Sequence, residues 1–168
     1  MPSNEALIPG FIRQSIIDAF RVQATLDVTI AAAVTVKSSE PAGPVDCLSV
    51  IGIKSSDLQG SLSLWFPKTT FLALLERMLG EKFTEITHEN VDACGEFLNI
   101  IYASARLNIN QSGFDFQPAI PTTVSGKELN VMSGAGAHVL RFTCESEAGP
   151  FTVGLSLQKV ASSLSKAG

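Results

Sequence analysis

The stretch "VDACGEFLNIIYASARLNIN", from Val91 to Asn110, is typical of an amphipathic helix that packs against a protein core. Because each helical residue turns by about 100°, its apolar side chains separate into two neighbouring faces. One face consists of Val91, Cys94, Leu98, Ile101, Ala105 and Ile109, and the other of Phe97, Ile100, Ser104 and Leu107. A narrow polar ridge remains between them, made of Asp92, Glu96, Asn99, Ala103, Arg106 and Asn110.

Glu96 and Asn99 are neighbours on this ridge, since side chains three positions apart lie next to each other on a helix. Every surface helix has a polar face, and periodicity alone favours that interpretation over a functional site. Ala103 favours a functional site, because a purely solvated ridge does not require a small residue. A ridge that another protein must approach closely does require one. The helix by itself leaves both interpretations open.

On either side of this helix, the predicted secondary structure alternates between amphipathic helices and β-rich segments. Helical periodicity predicts a long helix over residues 4–24 and a shorter one over 67–80, while Thr87 and Asn90 mark the start of the central helix. Segments rich in β-branched residues predict strands, and a proline-rich segment is predicted to lie at a sheet edge. The predicted strands span residues 26–39, 47–55, 60–67, 116–126, 138–146 and 151–159, and residues 162–168 are expected to fray.

The predicted order is helix, three strands, helix, and then a helix and three strands again. The similar words "GSLSLWFPK" at 60–68 and "VGLSLQK" at 153–159 close the two halves, which suggests a weak internal α-β-β-β repeat. Hairpin-linked strands and long helices indicate an α+β fold in which an antiparallel β-sheet is covered by two long helices. The length of 168 residues suits a single domain over residues 1–168.

The composition argues against several classes of function. The chain is 17% charged with a formal net charge of -4, so we expect no basic surface for nucleic acid. No segment approaches the roughly 20 apolar residues that cross a bilayer, and "MPSNEALIPG" lacks the features of a secretory signal. We therefore expect a cytoplasmic protein without membrane insertion. Cys47, Cys94 and Cys144 are expected to behave as small apolar residues, with a reactive thiol as the minor alternative.

Several words of the sequence resemble the chemotaxis phosphatases of the CheC, CheX and FliY group, and CheX-like members in particular. These words are "GSLSLWFP" followed by "LERMLGE", then "VDACGEFLNIIYASAR", and finally "PAIPTTVSG" before the last hairpin. The D-x-x-G-E-x-x-N pattern that contains Glu96 and Asn99 is a specific signal when it is combined with M-L-G-E upstream and I-P-T-x-x-x-G downstream.

The resemblance implies a phosphatase that acts on the aspartyl phosphate of a response-regulator receiver domain such as CheY. It implies that Glu96 engages the conserved lysine of the receiver and that Asn99 orients a water for in-line attack. The other ridge residues Asp92, Ala103 and Arg106 are then expected to contact the docked receiver. Any Mg²⁺ would belong to the receiver, so no cofactor is expected in this chain. The resemblance also implies a homodimer joined along sheet edges.

Departures from the family pattern keep other functions open. Tyr102 and Ala103 stand where the family usually has a glycine nearby, and Phe97 and Leu98 are bulkier than the usual pair. If Phe97 or Leu98 were exposed, it would reshape the docking face. The alternative function is a non-catalytic CheX-like module that binds a receiver domain or a motor component. A third possibility is a structural homodimer in which the ridge is merely solvated.

The first long helix offers no second copy of the motif. In one register of the internal repeat, Ile12 and Ser15 align with the Glu-x-x-Asn pair, and in the next register Arg13 and Ile16 do. Neither pair supplies a carboxylate and an amide. We therefore expect one active helix per chain.

Overall fold

An antiparallel β-sheet packs against three helices in this computed structural model, which describes residues 4–40, 43–131 and 138–161. A short 3-10 turn, Asn4–Leu7, precedes the first helix. The helices are α1 (Ile8–Ala24), α2 (Lys68–Leu79) and α3 (Asp92–Gln111). The strands are β1 (Thr29–Ile30), β2 (Val34–Lys37), β3 (Cys47–Lys54), β4 (Leu58–Phe66), β5 (Thr122–Ser125), β6 (His138–Glu145) and β7 (Phe151–Lys159). The predicted fraying of residues 162–168 lies outside the described residues.

The order of the strands reflects two similar halves of the chain. Across the sheet it is β1-β6-β7-β4-β3-β5, and β2 also pairs with β6. The last strands of the two halves, β4 and β7, lie side by side, with Leu62 opposite Leu155. The first strands are exchanged, because β1 and β2 pair with β6 while β5 pairs with β3. The α+β fold with an antiparallel sheet is thus confirmed, and its strand order follows the α-β-β-β halves.

The single strand predicted over residues 26–39 is instead two short strands with a bulge between them. From Ile30 to Val34 the chain advances by four residues, whereas their partners on β6, Cys144 and Arg141, are three residues apart. One extra residue therefore interrupts the ladder, which is the definition of a β-bulge. The guanidinium of Arg13 on α1 donates to the carbonyl of Ile30 at 2.5 Å and of Ala31 at 3.2 Å, which stabilises the bulge.

The two long helices predicted to cover the sheet are α1 and α3, and aromatic packing joins them to it. The ring of Phe20 on α1 stacks on Phe97 of α3 at 4.6 Å between centroids, and on Phe151 of β7 at 4.5 Å. All three side chains are buried, and each contributes on the order of 1.5–3 kcal/mol by leaving water. This packing fixes which face of α3 points inward and therefore which face points to solvent.

The three cysteines are buried free thiols, in agreement with the prediction that they act as small apolar residues. Two main effects raise the pKa of the Cys94 thiol well above its ordinary value: the larger is a hydrogen bond with Cys47, and the smaller is burial. Burial raises the pKa of Cys144 to about 12. Because the thiolate is the reactive form, these environments disfavour the alternative of a reactive thiol.

The shorter helix α2 packs beside β4 and ends where the sequence predicted. The carboxylate of Asp46 accepts a hydrogen bond from the backbone N–H of Lys68 at 2.8 Å, which caps the start of the helix. Gly80 follows the last turn with a φ of 70°, a left-handed conformation that glycine adopts without strain. In the part of the chain that the structure describes, none of the helices has the length and apolar character required to cross a membrane.

Candidate functional site

α3 follows a tight turn that Thr87 and Asn90 stabilise through reciprocal hydrogen bonds. The N–H of Thr87 donates to the side-chain oxygen of Asn90 at 2.8 Å, and the N–H of Asn90 donates to the Thr87 hydroxyl at 3.3 Å. These residues were predicted to open the helix, but they form the turn before it, and the helix begins at Asp92. The carboxylate of Asp92 in the first turn complements the positive end of the helix dipole.

The bulky side chains of α3 that could have altered the docking face all point into the core. Phe97 and Leu98 are 1% and 0% exposed, and Tyr102 is 2% exposed. The Tyr102 hydroxyl donates a hydrogen bond to the carbonyl of Gln117 at 2.7 Å, and burial raises the pKa of this phenol. Tyr102 therefore belongs to the interior and ties α3 to the segment that leads to β5, and it leaves the ridge unobstructed.

The ridge predicted from periodicity is the solvent-facing side of α3. Asp92, Glu96, Asn99 and Ala103 are exposed, and Arg106 is partly buried at the edge of the ridge. Asn110, the last predicted ridge residue, is also partly buried, and its side chain is hydrogen-bonded to the backbone of Phe116. Within the described residues, the side chains of Glu96 and Asn99 make no hydrogen bond or ion pair. A carboxylate and an amide therefore project side by side from a helix whose opposite face is fixed in the core, and both remain available to a partner.

A shallow cavity of about 280 Å³ lies beside the ridge, between α3 and the segment that enters β5. It is lined by Asp92, Gly95, Glu96, Asn99, Ile120, Pro121 and Thr123. The ridge is thus one wall of a cleft, and the segment of residues 120–123 is the other wall. The prediction from sequence brought the ridge residues together but assigned no site role to this second wall.

Gly95 explains why the two walls can approach each other so closely. A Cβ added at this position would lie 2.8 Å from the Oγ1 of Thr123, which is shorter than any ordinary contact. The Thr123 hydroxyl is in turn 3.0 Å from the hydroxyl of Ser49, a fully buried residue on β3. Gly95 is therefore required by packing, although glycine is unfavourable within a helix. A helical glycine directly before Glu96 was the sequence signal for the second wall.

The electrostatics of the cleft favour a cationic partner group. Asp92 and Glu96 stand four residues apart on one helical face, and both carboxylates are exposed. Like charges at this spacing repel each other by about 0.2–0.5 kcal/mol, and a bound cation would relieve that repulsion. No group of three or more potential metal ligands occurs within residues 4–40, 43–131 and 138–161.

A second hollow, of about 440 Å³, lies on the other side of the start of α3. It lies between the end of α2 and the loop before α3, and its lining includes Leu79, Phe83 and Ala93. It does not include Glu96 or Asn99. The larger hollow has charged lining residues of its own, among them Lys82, Glu85 and Glu89. Because Glu96 and Asn99 line the smaller cleft, that cleft is the better candidate for the predicted site.

α1 presents no equivalent of the Glu-x-x-Asn pair, although it occupies the corresponding place in the first half of the chain. Ile12, Ser15 and Ile16 are buried, and Arg13 is occupied by the carbonyl groups at the bulge. The prediction of a single motif-bearing helix agrees with this arrangement.

Comparisons with known proteins match both the fold and the sequence. The CheC-like superfamily protein from Shewanella sp. PV-4 superposes with a TM-score of 0.80 at 22% identity, covering 94% of this chain and 99% of that chain. The chemotaxis protein CheX from Vibrio vulnificus gives a TM-score of 0.80 at 22% identity, covering 90% of this chain and 99% of the other. These similarities establish the fold.

A third solved structure is a complex of CheX with CheY, BeF₃ and Mg²⁺ from Borrelia burgdorferi. It superposes with a TM-score of 0.67 at 14% identity, covering 89% of this chain and 97% of that chain. No curated protein sequence matches the chain. The model of the family described as chemotaxis phosphatase CheX matches residues 47–145, which is more than half of the chain and includes the whole of α3. The chain therefore belongs to the CheX family of chemotaxis phosphatases.

Proposed function

We propose that this protein hydrolyses the aspartyl phosphate of a CheY-like receiver domain, with Asn99 orienting the attacking water and Glu96 anchoring the receiver. The observation that carries the proposal is the exposed pair of Glu96 and Asn99, one helical turn apart on a helix fixed in the core. Neither side chain has a hydrogen-bond partner among the residues that the structure describes. A relative of similar fold from Borrelia burgdorferi has been solved bound to CheY, which supports a receiver as the partner.

The reaction requires little covalent chemistry from this chain. Water attacks the phosphorus in line with the bond to the aspartyl oxygen, that bond breaks, and the products are inorganic phosphate and a free aspartate carboxylate. Phosphoryl transfer passes through a loose transition state, so positioning and charge stabilisation supply most of the acceleration. An acyl phosphate is already activated, and Mg²⁺ held by the receiver would neutralise the developing charge.

The side-chain amide of Asn99 would act as the water-positioning group. Its carbonyl oxygen can accept a hydrogen bond from the attacking water, while its NH₂ group can donate to a phosphate oxygen. A glutamine performs the equivalent task in GTPases, and no strong general base is needed. Because Asn99 projects from a helix and not from a loop, its amide would reach the phosphate with little loss of position.

Glu96 would anchor the receiver through a charge-assisted hydrogen bond to its conserved lysine. The incoming ammonium would also relieve the repulsion between Glu96 and Asp92. Ala103 would permit close approach of the receiver backbone because its side chain is a single methyl group. Arg106, at the partly buried edge of the ridge, would pair with an acidic group of the docked receiver.

The direct test is to mix a phosphorylated receiver with the wild-type protein, Glu96→Gln, Asn99→Ala and the control variant Gln14→Ala, and to measure phosphate release. Gln14 is an exposed amide-bearing side chain on α1, outside the cleft. We expect wild type and Gln14→Ala to be equally active, Glu96→Gln to raise KM, and Asn99→Ala to lower kcat. Binding without any acceleration by the wild type would instead identify a non-catalytic receiver-binding module.

We also propose that the protein forms a homodimer through the edges of its sheet. The edge strands of the described sheet are β5 on one side and β1 with β2 on the other. Such edges can pair with a second chain because they carry unpaired backbone groups. Sedimentation equilibrium at micromolar concentration distinguishes a dimer from a monomer.

A further inference from the structure

We propose that the segment of residues 120–123 is a second docking wall for the receiver, in which Ile120 binds an apolar side chain beside the receiver's phosphorylation pocket. This inference rests on the proposed function, since it concerns the same cleft. It adds a contact that is neither on α3 nor part of the Glu-x-x-Asn pair. Ile120 is thereby a residue that selects the partner, and it takes no part in the chemical step.

The first observation is the exposure of Ile120 within the cleft. Its side chain is 89% exposed, more than any other large apolar side chain of the described residues, the next being Val22 at 74%. Single exposed apolar residues are common on protein surfaces and need no explanation by themselves. Ile120, however, lines the same cavity as Glu96 and Asn99, where a partner that reaches those groups must cover it.

The second observation is that the wall carrying Ile120 is held in place from both ends. Upstream, the backbone carbonyl of Gln117 accepts a hydrogen bond from the Tyr102 hydroxyl at 2.7 Å. The backbone N–H of Gln117 donates to the carbonyl of Lys54 at 2.9 Å. Downstream, β5 pairs with β3 and places Thr123 against Gly95. Since the residue before a proline is restricted to extended conformations, Pro121 further limits the backbone of Ile120.

An apolar side chain on a fixed backbone is suited to binding, because little backbone freedom is lost when it is covered. The cleft then has two chemically distinct sides. The helix wall carries the carboxylates of Asp92 and Glu96 and the amide of Asn99, whereas Ile120 and Pro121 form an apolar rim opposite them. A receiver that fits this cleft would carry a cationic group facing the helix wall and an apolar side chain facing Ile120, with its reacting atoms between them.

The inference predicts a specific kinetic signature. Ile120 is away from the reacting atoms, so its contact strengthens binding of the ground state and the transition state equally. Truncation should therefore raise KM and leave kcat unchanged. Burying most of an isoleucine side chain corresponds to about a tenfold gain in affinity. We therefore expect Ile120→Ala to lower the affinity for the receiver about five- to tenfold.

The experiment uses the full chain and a receiver domain from the same organism, loaded with beryllofluoride and Mg²⁺ for binding or phosphorylated for kinetics. The variants are Ile120→Ala, Ile120→Leu and the control Val22→Ala, which removes an exposed apolar side chain on α1. We expect weaker binding and a raised KM for Ile120→Ala. Ile120→Leu should keep nearly the wild-type affinity and KM, and Val22→Ala should leave both unchanged. Circular dichroism checks that each variant is folded.

Three results would overturn the inference, and they are distinguishable. If wild type binds and dephosphorylates the receiver while Ile120→Ala does so equally well, the second wall is not a docking surface and the proposed function stands. If wild type neither binds nor dephosphorylates any receiver, the proposed function fails and the inference fails with it. A change in oligomeric state for Ile120→Ala, with unaltered receiver affinity, would assign the residue to a contact between copies of this chain and also overturn the inference.

Discussion

Replacing Gly95 by alanine should destabilise the protein in the wild-type background and stabilise it when Thr123 is also truncated. The added Cβ would lie 2.8 Å from the Oγ1 of Thr123, about 0.6 Å inside the 3.4 Å at which ordinary contact begins. Thr123 cannot move away easily, because its hydroxyl is hydrogen-bonded to that of the buried Ser49 and its backbone is paired with β3. The other neighbours of that Cβ lie at 3.7 Å, which is ordinary contact.

Two opposing effects set the magnitude for Gly95→Ala. Alanine is favoured over glycine within a helix by about 1 kcal/mol, whereas overpacking a rigid site costs about 1–3 kcal/mol. The net loss in the wild-type background is then about 0–2 kcal/mol. In a Thr123→Ala background the overlap is removed, so Gly95→Ala should gain about 1 kcal/mol. The double-mutant cycle isolates a coupling energy of about 1–3 kcal/mol.

Urea unfolding of the wild type, both single variants and the double variant measures this coupling. The cost of losing the hydroxyl of Thr123 cancels in the cycle, because it occurs in both arms. If Gly95→Ala changed the free energy of unfolding by the same amount with and without the Thr123 hydroxyl, the close approach of α3 and the second wall would be disproved. The proposed phosphatase activity should fall on Gly95→Ala in the wild-type background, because the displacement alters the cleft. In the Thr123→Ala background, adding Gly95→Ala should leave the activity of Thr123→Ala unchanged.

Three further predictions concern the ridge and its support. Glu96→Gln should raise KM for the phosphorylated receiver by about 10- to 100-fold, which corresponds to the loss of one hydrogen bond to a charged group. Urea unfolding should show a free energy of unfolding within about 0.5 kcal/mol of the wild type, and an unchanged KM would exclude the anchoring role. Ala103→Leu should lower kcat/KM at unchanged stability because Ala103 is exposed, and full activity of this variant would show that the receiver does not approach that part of the helix. Tyr102 is the single tyrosine of the chain and its pKa is raised above 10.0, so tyrosinate absorbance at 295 nm should develop at higher pH in the folded protein than in urea. Because the folded-state pKa is the higher one, the stability linked to this group is present below pH 10 and is lost as the pH rises further, a loss that Tyr102→Phe should remove; identical titrations in the folded and unfolded states would contradict this burial.

The features of the site that lie on one helix were predictable from the sequence. Helical periodicity identified the buried face of α3 and four exposed ridge residues, because α3 is regular over its whole length. It was wrong for Ser104 and Leu107, which were assigned to an apolar face but are exposed, and for Asn110, which is partly buried. Asp92, Glu96, Asn99 and Ala103 are exposed as expected. The end of α2 at Gly80 was also predicted correctly. Thr87 was correctly placed near the start of α3, although the helix itself begins at Asp92.

The features that depend on contacts distant in sequence could not be derived from local patterns. The bulge near Ile30 depends on Arg13 and on the register with β6, which no local periodicity specifies. Periodicity placed Phe97 and Leu107 on the same apolar face, whereas the fold buries Phe97 and leaves Leu107 63% exposed. Gly95 lies near the start of α3 and Thr123 lies on the edge strand β5, so only the fold brings these two residues together. The second wall of the cleft is for this reason visible only in the structure.

The decay of a phosphorylated receiver domain at saturating concentrations of wild type and of Asn99→Ala tests the proposed mechanism most directly, because saturation separates catalysis from binding. The mechanism predicts that Asn99→Ala binds the receiver with nearly the affinity of the wild type, while its maximal rate of dephosphorylation falls by about 100-fold, the cost of losing a positioned reactant. Equal maximal rates for the two proteins would contradict the assignment of Asn99 as the residue that orients the attacking water.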